Sequence, residues 1–84
     1  MKLPRDLGGE ELARRLAVFG YEVMRRSGSH IRLTSTRMGT EHHVTIPAHR
    51  ALKVGTLASV LKDVAAYLQI DKEALDREIF GART

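Results

Sequence analysis

The sequence predicts an α+β domain in which helices cover one face of a three-stranded antiparallel sheet and leave the other face open. Two observations carry this. Three short runs alternate apolar and polar residues with the period of strands, and turn residues separate them. On either side, apolar residues recur at helical spacing. The order is helix, three strands, helix, short helix, and helices gathered on one face of an antiparallel sheet leave its other face available for function. At 84 residues the chain is a single domain over residues 1–84, near the size at which one core is only just sufficient.

Residues 1–9 read as an extended lead-in: Pro4 pushes Leu3 away from helical angles, and Gly8-Gly9 is a flexible entry to the first helix. That helix covers residues 10–19. Leu12, Leu16 and Phe19 fall at helical spacing, Glu10 and Glu11 complement the N-terminal dipole, Arg14 and Arg15 point to solvent, and Gly20 ends the element.

Residues 21–26 and 30–36 are the strands of a hairpin, with Tyr21, Val23, Ile31 and Leu33 facing the core and Glu22, His30, Arg32 and Thr34 facing away. If Val23 and Leu33 share one face, the loop between the strands must hold an odd number of residues, and Ser27-Gly28-Ser29 fits. That register places Arg26 across from His30. A second turn, Arg37-Met38-Gly39-Thr40-Glu41, leads to a third strand over residues 42–46, where Val44 and Ile46 alternate with His43 and Thr45. The outer face of this meander is expected to carry Arg26, His30, Arg32, Thr34, His43 and Thr45.

Pro47 closes the sheet, and residues 48–55 form a basic connector containing His49, Arg50 and Lys53. Leu57, Val60, Leu61, Val64 and Leu68 make the apolar stripe of a second helix over residues 56–69. Asp71 is the expected N-cap of a short third helix running to Phe80, with Leu75 and Ile79 on its buried side.

Composition narrows the function. The chain has no cysteine, which removes disulfides, thiolate zinc sites and cysteine nucleophiles and is compatible with a reducing cytoplasm. No apolar run approaches the ~20 residues that span a bilayer, and no signal-peptide segment is present, so a soluble, unexported protein without a membrane partner is expected. The net charge of +4 is unevenly placed: residues 1–53 carry ten Lys/Arg against five Asp/Glu, or +5, and residues 54–84 carry four against five, or −1. The hairpin half is therefore the half expected to bind anions.

Among candidate groups His30 comes first. A lone strand histidine is more often structural than catalytic, but this one adjoins a turn and shares a face with cations and hydroxyls. An imidazole there can take a proton from a ribose 2′-hydroxyl or give one to a leaving oxygen near neutral pH. His42 and His43 invite a metal reading, yet adjacent strand residues diverge and no Cys or acidic cluster accompanies them, so no metal or other cofactor is expected. Ser29 beside His30 does not make a serine triad, because the two side chains diverge and no carboxylate is placed to orient the imidazole. Ser29 is expected to bond backbone or phosphate instead. Gly55-Thr56, at the start of the second helix, is a weak anion signal.

Leu3-Pro4-Arg5, the Glu11-Leu12 helix, Gly20-Tyr21, Gly28-Ser29-His30, Val44-Thr45-Ile46-Pro47-Ala48-His49 and Gly55-Thr56-Leu57 with Leu61-Lys62 resemble, in order and spacing, the HicA-type toxins of bacterial toxin–antitoxin pairs. The resemblance covers residues 2–80. It implies a fold similar to the double-stranded-RNA-binding domain, α-β-β-β-α, and an activity as an mRNA-cleaving endoribonuclease. It also implies that the histidine of the Gly-Ser-His motif, His30 here, is catalytic and that a HicB-type antitoxin protein covers the active face. No function carries over to residues 50–54. Joined to the reading of the residues, it gives His30 as general base or acid in metal-independent cleavage. Arg26, Ser29, Arg32, Thr34 and His43 become the RNA-binding residues, with His43 as a candidate second proton-transfer group. A non-catalytic RNA-binding module and a protein-interaction domain of the same fold are the alternatives; the first needs only the cations, and the second would use the face for an acidic partner.

Overall fold

The computed structural model describes residues 6–81; the part of the expected lead-in at residues 1–5 lies outside the described residues. Leu12 and Leu16, one helical turn apart and fully buried, set the orientation of α1 (Gly9–Leu16). Its first turn carries Glu10 and Glu11 and its last Arg14 and Arg15, as the helix dipole favours. A single 3-10 turn, Ala17–Phe19, continues it and ends at Gly20, whose φ of 86° reverses the chain. The helix expected over residues 10–19 is thus an α-helix with a tightened last turn.

Three strands come next: β1 (Glu22–Ser27), β2 (His30–Ser35) and β3 (His42–Pro47), antiparallel and in sheet order β1-β2-β3. Alternation holds in β2, where Ile31, Leu33 and Ser35 are buried and His30 and Arg32 exposed, and in β3, where Val44 and Ile46 are buried and His43 and Thr45 exposed. It does not hold in the edge strand β1, which is exposed throughout, so that Val23, expected in the core, is 41% exposed. The helices α2 (Val54–Leu68) and α3 (Lys72–Phe80) complete the chain. Leu57, Leu61 and Val64 of α2 join Leu75 and Ile79 of α3 in one core with Leu12, Leu16 and the inward residues of β2 and β3. The expected α+β architecture, with helices on one face of the sheet, is the architecture found. Asp71 occupies the N-cap position of α3, but its side chain makes no capping hydrogen bond. No helix among the described residues is long and apolar enough to cross a membrane.

The hairpin differs from the expected register. Ser27 pairs with His30, Arg26 with Ile31 and Arg25 with Arg32, while Val23 still pairs with Leu33. The turn is therefore the two residues Gly28-Ser29, and the extra residue that parity requires sits in the strand, as a bulge at Met24. Gly28 holds φ 59° at the first central position, the pattern of the II′ turn whose twist suits a two-residue hairpin. The consequence is an exchange of roles: Arg25 faces outward opposite Arg32, and Arg26, opposite the core residue Ile31, reaches the helix side and bonds Glu10 of α1 at 2.5 Å.

At the other end of the sheet, side chains hold the β2–β3 turn. Tyr67 of α2 accepts the Met38 backbone N–H at 3.0 Å and also bonds the carbonyls of Ser35 and Thr40. Its ring stacks on His42 with centroids 4.7 Å apart, and the Tyr21 hydroxyl meets His42 Nδ1 at 2.7 Å. Burial pushes the Tyr21 phenol up to about 12, with smaller contributions from Tyr67 and Asp63, so the hydroxyl keeps its proton at neutral pH. Ser35, buried on the same side, donates to Phe19 O at 3.2 Å and accepts the Arg37 N–H, which satisfies the hydroxyl.

Candidate nucleic-acid interface and active site

The open face is built in cross-strand rows, because residues directly opposite one another in an antiparallel ladder point to the same side. At the hairpin end the row is Ser27, His30, Pro47; the next is Arg25, Arg32, Thr45; the third is Glu22, Thr34, His43. A shallow concavity of about 260 Å³ lies over the first two rows, lined by Arg25, Ser27, His30, Arg32 and Thr45. It holds one imidazole, two guanidinium groups and two hydroxyls, and all five residues are exposed. A phosphodiester fits this chemistry: guanidinium forks neutralise the non-bridging oxygens, hydroxyls donate to them, and the imidazole exchanges a proton.

The cations divide by what they already touch. Arg14 and Arg15 pair with Glu11, Arg26 with Glu10 and Lys72 with Asp76, while Arg37 donates to Val18 O at 3.0 Å. The hydrogen bond from Arg26 is the main reason the Glu10 carboxyl is held below its ordinary value, and the same bond holds the Arg26 guanidinium above its own. Arg25 and Arg32 have no carboxylate partner among the described residues. The two arginines that line the concavity are thus both free to take an anion.

Of the residues expected from the sequence, His30 and Arg32 meet in the concavity. Arg26 does not, for the reason its register gives. Ser29 lies in the turn, where its carbonyl accepts the Ala48 N–H at 2.6 Å. Thr34 and His43 share the open face but lie two rows from His30, about 13 Å along the strands at ~3.3 Å per residue. They bond each other at 2.7 Å, and His43 Nε2 lies 3.5 Å from Glu41, so His43 is too distant to serve the same phosphate as His30. Sequence reasoning left Arg25 and Ser27 out of the site. The signal for them was Met24, an apolar residue at a position where strict alternation demands a polar one.

His42 and His43 diverge as adjacent strand residues should, one to the aromatic cluster and one to the open face. Among the described residues no three His, Cys, Asp or Glu side chains gather as metal ligands. A larger concavity, about 430 Å³ between β3 and α2, is lined by His43, Thr45, Ser59 and Asp63 among others, with no lysine or arginine in its lining.

A family model described as the HicA toxin of bacterial toxin–antitoxin pairs matches residues 9–65, from the first residue of α1 into α2 and across the whole sheet. No curated protein and no solved structure matches the chain.

Proposed function

The chain belongs to the HicA toxin family of bacterial toxin–antitoxin pairs, and from that premise we propose that it is an endoribonuclease that cleaves mRNA without a metal ion, with His30 as its proton-transfer group. The observation that carries this reading is the row arrangement of the open face: His30 stands beside Ser27, and directly below it Arg25 and Arg32 are paired with each other and with no carboxylate among the described residues.

In this reading a backbone phosphate sits over the Arg25–Arg32 row, where two guanidinium groups offset the charge that grows on its non-bridging oxygens as the transition state forms. His30 takes the proton of the adjacent ribose 2′-hydroxyl, the 2′-oxygen attacks phosphorus, and the bond to the 5′-oxygen breaks. The leaving oxygen takes its proton from water or from the imidazolium. Ser27 and Thr45 orient the phosphate by hydrogen bonds. The RNA-binding set becomes Arg25, Ser27, His30, Arg32 and Thr45; Arg26 serves the β1–α1 contact, and Thr34 and His43 border the face.

The same geometry suits a protein partner. An exposed cationic active face is most directly silenced by an acidic protein surface laid over it, which fits a HicB-type antitoxin that buries His30 and pairs carboxylates with Arg25 and Arg32. The deciding experiment incubates purified protein with single-stranded RNA in EDTA, with and without His30→Ala. Cleavage by the native protein alone supports the reading, and cleavage by both, or by neither, overturns it.

A further inference from the structure

The connector between β3 and α2 has no regular structure, yet its backbone is fixed at three points. Ala48 N–H donates to Ser29 O at 2.6 Å, Gly9 N–H to His49 O at 3.0 Å and Leu52 N–H to Leu7 O at 2.7 Å. The Leu52 side chain is 3% exposed and belongs to the core. Gly8 and Gly9 make the approach possible, since a Cβ added at Gly9 would lie 2.0 Å from Pro47 O and one at Gly8 2.6 Å from Arg50 O. Arg50, between these anchors, and Lys53, directly after the last of them, stand exposed.

Two further observations give that fixed loop a direction. Arg50 and Lys53, like Arg25 and Arg32, have no carboxylate partner among the described residues. The connector also begins beside the candidate active site: Pro47 pairs with His30, so the loop leaves the sheet about one strand spacing, ~4.8 Å, from the imidazole's strand. The far end of the open face carries Glu22 and the adjoining Glu41 instead. Unpaired cations are therefore found both in the Arg25–Arg32 row and, past His30, on the connector. Cations held on a backbone that is already ordered lose less conformational freedom on binding than cations on a mobile loop.

The geometry points to a second phosphate subsite on the connector, at which Arg50 and Lys53 hold the backbone phosphate next to the one over Arg25 and Arg32. RNA then leaves the open face across the hairpin end of the sheet instead of running along the strands. This subsite rests on the RNA reading of the open face but is tested apart from it.

The test compares the native connector with Arg50→Ala/Lys53→Ala, first for binding in a His30→Ala background and then for turnover. Both residues are exposed, so thermal melts should agree. With a single-stranded oligoribonucleotide, the slope of log K against log salt should fall by roughly 0.7 for each phosphate the variant no longer holds. In the catalytically intact protein, KM for the oligonucleotide should rise with kcat unchanged. Turnover of a dinucleoside monophosphate, which offers only the scissile phosphate, should not change. An unchanged salt slope, or an equal loss on the dinucleotide, overturns the subsite. Weaker binding of purified antitoxin at unchanged RNA affinity also overturns it, in favour of a protein contact. If the native protein cleaves no RNA, the proposed activity fails, and the binding slopes alone decide the subsite.

Discussion

Arg25 and Arg32 stand directly opposite each other across the β1–β2 ladder, with no carboxylate partner for either among the described residues. Like charges in facing positions of a sheet are destabilising, so the free protein holds a local conflict that an anion resolves. Arg25→Thr should stabilise the ligand-free protein by about 0.2–1 kcal/mol and weaken RNA binding at the same time. Thermal melts and RNA titrations of one preparation check it; a variant that melts lower and binds as well as the native chain contradicts the assignment.

His30→Ala should remove RNA cleavage and growth inhibition with a change in stability within about 0.5 kcal/mol, because the side chain is exposed and leaves no cavity. Cleavage assays and denaturant melts read the two effects separately.

The reaction should stop early. With His43 about 13 Å from His30 along the strands, no second imidazole on this face assists hydrolysis of a cyclic product. The new ends should be a 2′,3′-cyclic phosphate and a 5′-hydroxyl, and a single 2′-deoxy substitution at the cleavage site should block cutting without preventing binding. Mass spectrometry of the fragments checks the ends; a free 5′-phosphate would require a different mechanism.

Gly9→Ala should destabilise the domain by about 1–3 kcal/mol, because its Cβ would lie 2.0 Å from Pro47 O and the connector must move. Gly55→Ala, with nothing within 4 Å of the added carbon and a helical backbone, should be neutral or stabilising by up to about 1 kcal/mol. Paired denaturation curves decide it.

Alkaline pH should act through Tyr21. Its phenol is ordinarily near 10 and is pushed up to about 12 here, so between those values the unfolded chain releases a proton that the folded chain retains. Stability present below pH 10 is therefore lost as pH rises towards 12. Tyr21→Phe should flatten that part of the stability–pH curve, measured by denaturant unfolding across the range.

The strands and helices were legible because Ile31, Leu33, Val44 and Ile46 alternate cleanly and Leu57, Leu61, Val64 and Leu68 recur at helical spacing. Parity across the hairpin was legible too: one extra residue does lie between Val23 and Leu33. It sits at Met24 in the strand, and not in the turn, because the Gly28 backbone accepts the tight two-residue geometry. That one displacement exchanges the facing of Arg25 and Arg26, so the arginine on the open face is Arg25 and not Arg26. The purpose of Gly8-Gly9 was hidden for a different reason. Local sequence reports their flexibility, but the carbonyls that exclude a side chain there come from Pro47 and Arg50, some forty residues on.

The connector also constrains the order in which the domain can assemble. Each strand pairs with its neighbour in the chain, so the two hairpins close short loops early. The bonds from Gly9 to His49 and from Leu52 to Leu7 instead close the chain from its first helix to beyond its last strand, and they can form only after the sheet has presented its end. Native-state hydrogen exchange should accordingly find the Gly9 and Leu52 amides opening at lower free energy than the β2 amides. A molecule caught in that opening keeps its sheet and the His30 hairpin while its basic connector swings loose, so the last part of the domain to lock is the part that extends its reach along a bound strand.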